Sequence, residues 1–152
     1  MTQTRRLNGG LIDRQLPLDF EFDGRKYTGY QGDTLASALL ANGVQLMGRS
    51  FKYHRPRGIL SAGSEEPNAL IRLGKGAYAE PNLRATQIEI FDGLDAESQN
   101  RVPSLSFDIG AIKSVLAQFF PAGFYYKTFM WPASMWMKYE HVIRRAAGLG
   151  KA

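Results

Sequence analysis

The side chains best able to do chemistry are concentrated in one stretch of this chain. From Arg49 to Arg57 it reads Arg-Ser-Phe-Lys-Tyr-His-Arg-Pro-Arg, so that Arg49, Lys52, His54, Arg55 and Arg57 place five basic groups within nine residues. Arginine forks grip phosphates and carboxylates, which makes the stretch a candidate for holding a phosphate-bearing cofactor or an acidic partner surface. The same groups equally suit hydrogen bonds to carbonyls of their own irregular loop, and the sequence leaves both roles open. Glu65 and Glu66 follow as adjacent carboxylates. They resemble an acid–base pair, but in a loop such neighbours more commonly face solvent or nearby arginines. The two histidines, His54 and His141, stand far apart with no carboxylate at ligand spacing, so no metal site is expected.

The chain has 152 residues and no cysteine. That excludes disulfides, thiolate nucleophiles, sulfur-bound zinc and thiolate-bound iron–sulfur clusters. A hydrophobic fraction of 44% is that of a globular protein, with room for one domain and an appendage. The net charge of +5 comes mainly from Arg5-Arg6, from Arg49–Arg57 and from Arg144, Arg145 and Lys151. So diffuse an excess reads as a solvated surface rather than a nucleic-acid footprint. No apolar run follows the N-terminal arginines, so neither a signal peptide nor a membrane anchor is expected, and the default compartment is the cytoplasm.

The elements that must position these residues are legible as an α+β order. Residues 1–16 form a polar lead-in. Pro17–Phe22 alternates Leu18, Phe20 and Phe22 with Asp19 and Glu21, a strand at period two. Asp23-Gly24 then predicts a tight hairpin turn into a second strand, Arg25–Tyr30. Asp33 is the expected N-cap of a helix whose apolar face is Leu35, Leu39 and Leu40, ended by Asn42-Gly43. Val44–Met47, Asn68–Leu73 and Ala85–Phe91 read as further strands, and Asp92–Ser98 as an acidic turn and loop. A hairpin, a helix across it and further strands are the order of a β-grasp domain, assigned to residues 17–100. Residues 101–152 read as a mostly helical, aromatic-rich arm. It comprises a helix from Asp108 to Phe120, a break at Pro121-Ala122-Gly123, and a last helix from about Pro132 or Ala133 to Ala147, leading into an interdomain linker.

The run Arg49–Leu60, with Gly32-Asp33-Thr34-Leu35-Ala36 before it and Ser61–Asn68 after it, resembles the N-terminal domain of the α subunit of heterotetrameric sarcosine oxidase. The likeness extends over about residues 5–150. It implies a relationship to ferredoxin-like β-grasp domains that hold a two-iron, two-sulfur cluster. It also implies a parent complex with FAD and FMN that oxidises sarcosine to glycine, formaldehyde and hydrogen peroxide, with NAD and tetrahydrofolate bound by later domains. In this setting the basic run would face a flavin or nucleotide phosphate, or an acidic surface. Ferredoxin-type loops bind iron through cysteines spaced C-x4-C-x2-C, with a fourth further on. Aligning Ser61 with the first places Glu66 and Ala69 at the second and third, and none of the three supplies a thiolate. The loop reads as a cluster loop without a cluster.

The glycines at 58, 63, 74 and 76 match neither a dinucleotide fingerprint nor a Walker loop, so no nucleotide is expected to bind this chain by itself. Large apolar groups crowd the arm, among them Phe124, Tyr125, Tyr126, Trp131 and Trp136. They are expected to bury against neighbouring domains or subunits, with core packing second and a membrane surface a distant third. The resulting expectation is a structural and interaction module within a larger flavoenzyme, without catalytic residues of its own. A free-standing β-grasp module that binds protein or nucleic acid is the alternative.

Overall fold

A computed structural model of the chain describes residues 3–112 and 132–146. Strand β1 (Pro17–Phe22) and strand β2 (Arg25–Tyr30) form the expected hairpin, antiparallel from Pro17 opposite Tyr30 to Phe22 opposite Arg25. Asp23 and Gly24 both take positive φ at its turn, as a two-residue hairpin turn requires. Helix α1 (Leu35–Ala41) follows, then a short antiparallel pair, β3 (Gly48–Arg49) and β4 (Pro56–Arg57), which brackets the basic turn. Strands β5 (Leu70–Leu73), β6 (Glu80–Arg84) and β7 (Leu94–Ser98) complete a five-stranded mixed sheet of order β2-β1-β7-β5-β6. Strand β7 runs parallel to β1 and antiparallel to β5. This is the β-grasp arrangement, and α1 seals one face of it through Leu35, Ala36, Ala38, Leu39 and Ala41. The core that results joins Phe20, Phe22, Met47, Ile71, Ile90 and Leu94 to the helix.

Several elements differ from the sequence reading, each for a physical reason. Thr34, not Asp33, caps α1, its hydroxyl accepting from Ser37 N at 3.2 Å. Asp33 is instead drawn inward, where its carboxylate accepts from Tyr30 N, Ser37 Oγ and the Arg6 guanidinium. Leu40 is turned out of the core and lines a groove of about 300 Å³ with Leu7 and Ile12. Val44–Met47 is not a strand, although Met47 is fully buried. Ala85–Phe91 is not a strand either, because it crosses the start of α1. There Ile88 O and Ala85 O accept from Leu35 N and Ala36 N at 2.7 and 3.0 Å, satisfying two donors that a helix start leaves free.

Asp92–Ser98 is no acidic loop but contains the central strand β7. Leu94, Ala96 and Ser98 point inward, while Asp95 and Glu97 point outward to Lys75, Arg72 and Arg101. Small inward residues conceal the alternation that marks a strand. In the arm, Asp108 caps only a short 3₁₀ turn at Ile109–Ala111, and the remainder of the expected helix to Phe120 lies outside the described residues. Helix α2 (Trp136–Ala146) follows a turn at Ala133–Met135, close to the span expected. Among the described residues no helix is long and apolar enough to cross a membrane.

Because β7 joins the two halves of the sheet and Leu94 is 0% exposed, Leu94→Ala should destabilise the chain by about 3 kcal/mol. Urea denaturation checks this. A cost below about 1 kcal/mol would place Leu94 outside the core.

Candidate functional site

The two strands of the β3–β4 hairpin diverge on one side into the basic turn and on the other into the loop 58–69. Gly58 opens that loop where no side chain fits, since a Cβ there would lie 2.7 Å from Gln45 O. The loop then winds around a single side chain, that of Glu66, which is 0% exposed. Its Oε2 accepts from Leu60 N and Ser61 N, both at 2.7 Å, and its Oε1 from Asn68 N at 2.6 Å and Ala69 N at 3.0 Å. A carboxylate offers about four lone-pair sites, and backbone donors fill all of them. Burial pushes the Glu66 carboxyl up, but the bonds from Ser61, Asn68, Leu60 and Ala69 outweigh it and hold the group below its ordinary value. The loop is fastened further by Arg84 Nε on Glu66 O at 3.1 Å and by Thr86 Oγ1 on Gly63 O at 2.6 Å.

This geometry settles what the loop can do chemically. Of the three positions at cluster spacing, Ser61 gives its amide to Glu66 and has its Oγ buried with no hydrogen-bond partner among the described residues. Ala69 is buried with no donor atom in its side chain, and Glu66 has no lone pair to spare for a metal. An iron–sulfur cluster does not fit these residues. Nor is Glu66 free to exchange protons with a substrate, while Glu65 sits exposed in a 3₁₀ turn beside it. Among the described residues no group of three or more metal-ligating side chains occurs.

The structure divides the basic residues into two sets. Arg49 and His54 turn inward. Arg49 donates through Nε and Nη2 to Leu105 O at 3.2 and 2.6 Å and through Nη1 to His54 O at 2.9 Å. His54, held at a φ of 53°, sets Nδ1 2.8 Å from Asp108 Oδ2, and Arg49 Nε lies 3.3 Å from the same oxygen. Asp108 Oδ1 accepts from Val102 N at 2.9 Å and Gly110 N at 3.1 Å. Burial raises the Asp108 carboxyl, but the Val102 amide, the His54 ring and the Gly110 amide lower it by more. Gly110 packs so closely that a Cβ would meet the His54 ring at 2.3 Å.

Lys52 and Arg55 remain outside, each 5.0 Å from the centre of the Tyr53 ring. Arg57 is half-buried and bonds Asn68 Oδ1, linking β4 to the Glu66 loop. Asp108, which completes the inward set, was legible in the sequence only as a helix cap, because its side-chain partners His54 and Arg49 lie more than 50 residues away. The interface candidates Phe124, Tyr125, Tyr126 and Trp131 lie outside the described residues, and Trp136 begins α2 partly exposed.

A family profile described as "2Fe-2S iron-sulfur cluster binding domain" matches residues 15–101. The chain is 66% identical over its whole length to the sarcosine oxidase subunit alpha of Rhizobium meliloti (strain 1021), of which it spans 16%. It is 44% identical over 63% of its length to the protein of the same name from Corynebacterium sp. (strain U-96), of which it spans 11%. Among solved structures, L-proline dehydrogenase from P. horikoshii matches 57% of this chain and 16% of its own at 25% identity and a TM-score of 0.47.

Glu66→Gln tests the loop directly. An amide has one oxygen, so its NH₂ end would face two of the four backbone donors. Urea denaturation at neutral pH should show a loss of about 2–3 kcal/mol. Since the folded carboxyl lies below its ordinary value, its contribution is present above the ordinary glutamate pKa and is lost as pH falls through the folded value. The gap between wild type and variant should therefore narrow on acidification.

Proposed function

This chain belongs to the 2Fe-2S iron-sulfur cluster binding domain family, and we propose that it works without a cluster, as the bracing domain of a sarcosine oxidase-like α subunit. The observation that carries this reading is the buried Glu66 carboxylate, held by four backbone amides where the family's cluster loop would hold metal. An anionic side chain of the protein's own keeps such a loop folded without iron. The site then has a structural task and no redox one.

In this reading the parent complex carries out the chemistry. It oxidises sarcosine to glycine, formaldehyde and hydrogen peroxide in the cytoplasm, using FAD and FMN, with NAD and tetrahydrofolate sites in other domains of the subunit. The partners of this chain are those domains and the other subunits of the oxidase. The identity spread over the full length of the chain supports this reading, as does the absence of any cysteine. The carboxylate-saturated loop supports it too, since it leaves the domain no redox work of its own.

Two measurements test it. The purified 152-residue chain should be colourless and take up no stoichiometric iron on reconstitution with iron and sulfide. The α subunit expressed from its complete reading frame, with its partner subunits, should bind flavin and produce peroxide in the presence of sarcosine. A stable iron–sulfur spectrum from the chain, or a reading frame that encodes no flavin-binding domain, would contradict the proposal.

A further inference from the structure

We propose that the β3–β4 turn and residues 101–112 form one docking face, occupied by the remainder of the α subunit through an apolar surface rimmed with carboxylates. This rests on the reading of the chain as one domain of such a subunit. The two segments are far apart in sequence but are clamped into one unit. Asp108 joins them through His54 Nδ1 at 2.8 Å and Arg49 Nε at 3.3 Å, Arg49 also grips Leu105 O, and Asn100 Nδ2 donates to Arg49 O at 3.0 Å. The buried carboxylate and guanidinium of this joint are satisfied within it, so the joint fixes the shape of the face.

The outward side chains are of two kinds. Phe51, Val102, Phe107, Ile109 and Ile112 are 57%, 56%, 68%, 60% and 62% exposed. Five large apolar groups on two clamped segments are the kind of surface that proteins cover. The charged groups are all of one sign. Residues 48–57 contain no carboxylate, and the single acid of residues 101–112 is Asp108, consumed in the joint. Lys52 and Arg55 flank Tyr53 at the tip of the turn, neither of them paired with a carboxylate among the described residues. The complement of such a face is apolar at its centre and acidic at its edge.

The length of chain identifies the occupant. This sequence spans 16% of the relative it matches end to end, so most of that subunit lies elsewhere. Residues 102–112, which supply most of the apolar groups, lie beyond the last residue of the family match at 101. A face held rigid in advance also loses little freedom on contact, which favours a permanent intramolecular neighbour.

The test is hydrogen exchange on the 152-residue chain and on the α subunit expressed from its complete reading frame, combined with the double substitution Lys52→Glu/Arg55→Glu. Amides of Phe51–Arg55 and Val102–Ile112 should exchange more slowly in the subunit than in the chain. The double substitution should lower the melting temperature of the subunit and leave that of the chain unchanged. Equal exchange in both proteins would overturn the proposal, as would an equal loss of melting temperature in both. Protection that develops in the chain alone as its concentration rises would assign the face to a second copy and overturn it too. A subunit that oxidises sarcosine while these amides exchange freely refutes the docking face only. A subunit without flavin or activity refutes the functional reading.

Discussion

The Glu66 carboxylate, sealed from water and held by four backbone amides, is the interaction on which the rest of this structure turns. A buried charge without compensation costs several kcal/mol, and here no cation among the described residues supplies the compensation. Four oriented N–H dipoles do so instead. The dependence is mutual, since the four amides aimed at this one buried point lose their shared acceptor when the anion is removed. The path through Leu60, Ser61, Asn68 and Ala69 is therefore most stable while Glu66 is present and ionised.

From this loop the constraint spreads in two directions. Through Arg84 and Thr86 it reaches the far side of the sheet and the segment that crosses the start of α1. Through Asn68 and Arg57 it reaches β4, and so the hairpin that carries the basic turn. At the other end of that hairpin a second buried carboxylate, Asp108, gathers His54, Arg49 and two backbone amides and fastens residues 101–112 to the domain. Two acids thus organise the two loops that the sheet does not, and both are held in their ionised form by donors placed around them. Arginines that seemed available for a cofactor are divided accordingly: Arg49 and Arg57 work inside the domain, and Arg55 is left at its surface.

What the sequence disclosed follows from the range over which each feature acts. The hairpin with its Asp23-Gly24 turn, the helix at Leu35–Ala41 and the final helix are set by local periodicity and turn chemistry, and all were legible. Strand β7 was not, because Leu94, Ala96 and Ser98 present only one large apolar group while Asp95 and Glu97 look like a loop. Ala85–Phe91 misled in the opposite sense, its apolar alternation being used to cover a helix end rather than to pair in a sheet. The spacing of Ser61, Glu66 and Ala69 located the loop, but side-chain identity could say only that no thiolate was there. That the middle position carries the charge which closes the loop depends on where four amides point, and no pattern of residue types encodes that. The joint between His54 and Asp108 was hidden for the same reason, by 54 residues of separation.

The most direct measurement is an acid titration of the chain, with the side-chain carboxyl carbon of Glu66 and the backbone amides of Leu60, Ser61, Asn68 and Ala69 followed together by NMR. The Glu66 carboxyl should titrate below the ordinary glutamate range. All four amide protons should shift with it at one common midpoint, because each donates to the group being protonated. A Glu66 that titrates within the ordinary range, with the four amides unmoved, would show that this carboxylate does not close the loop.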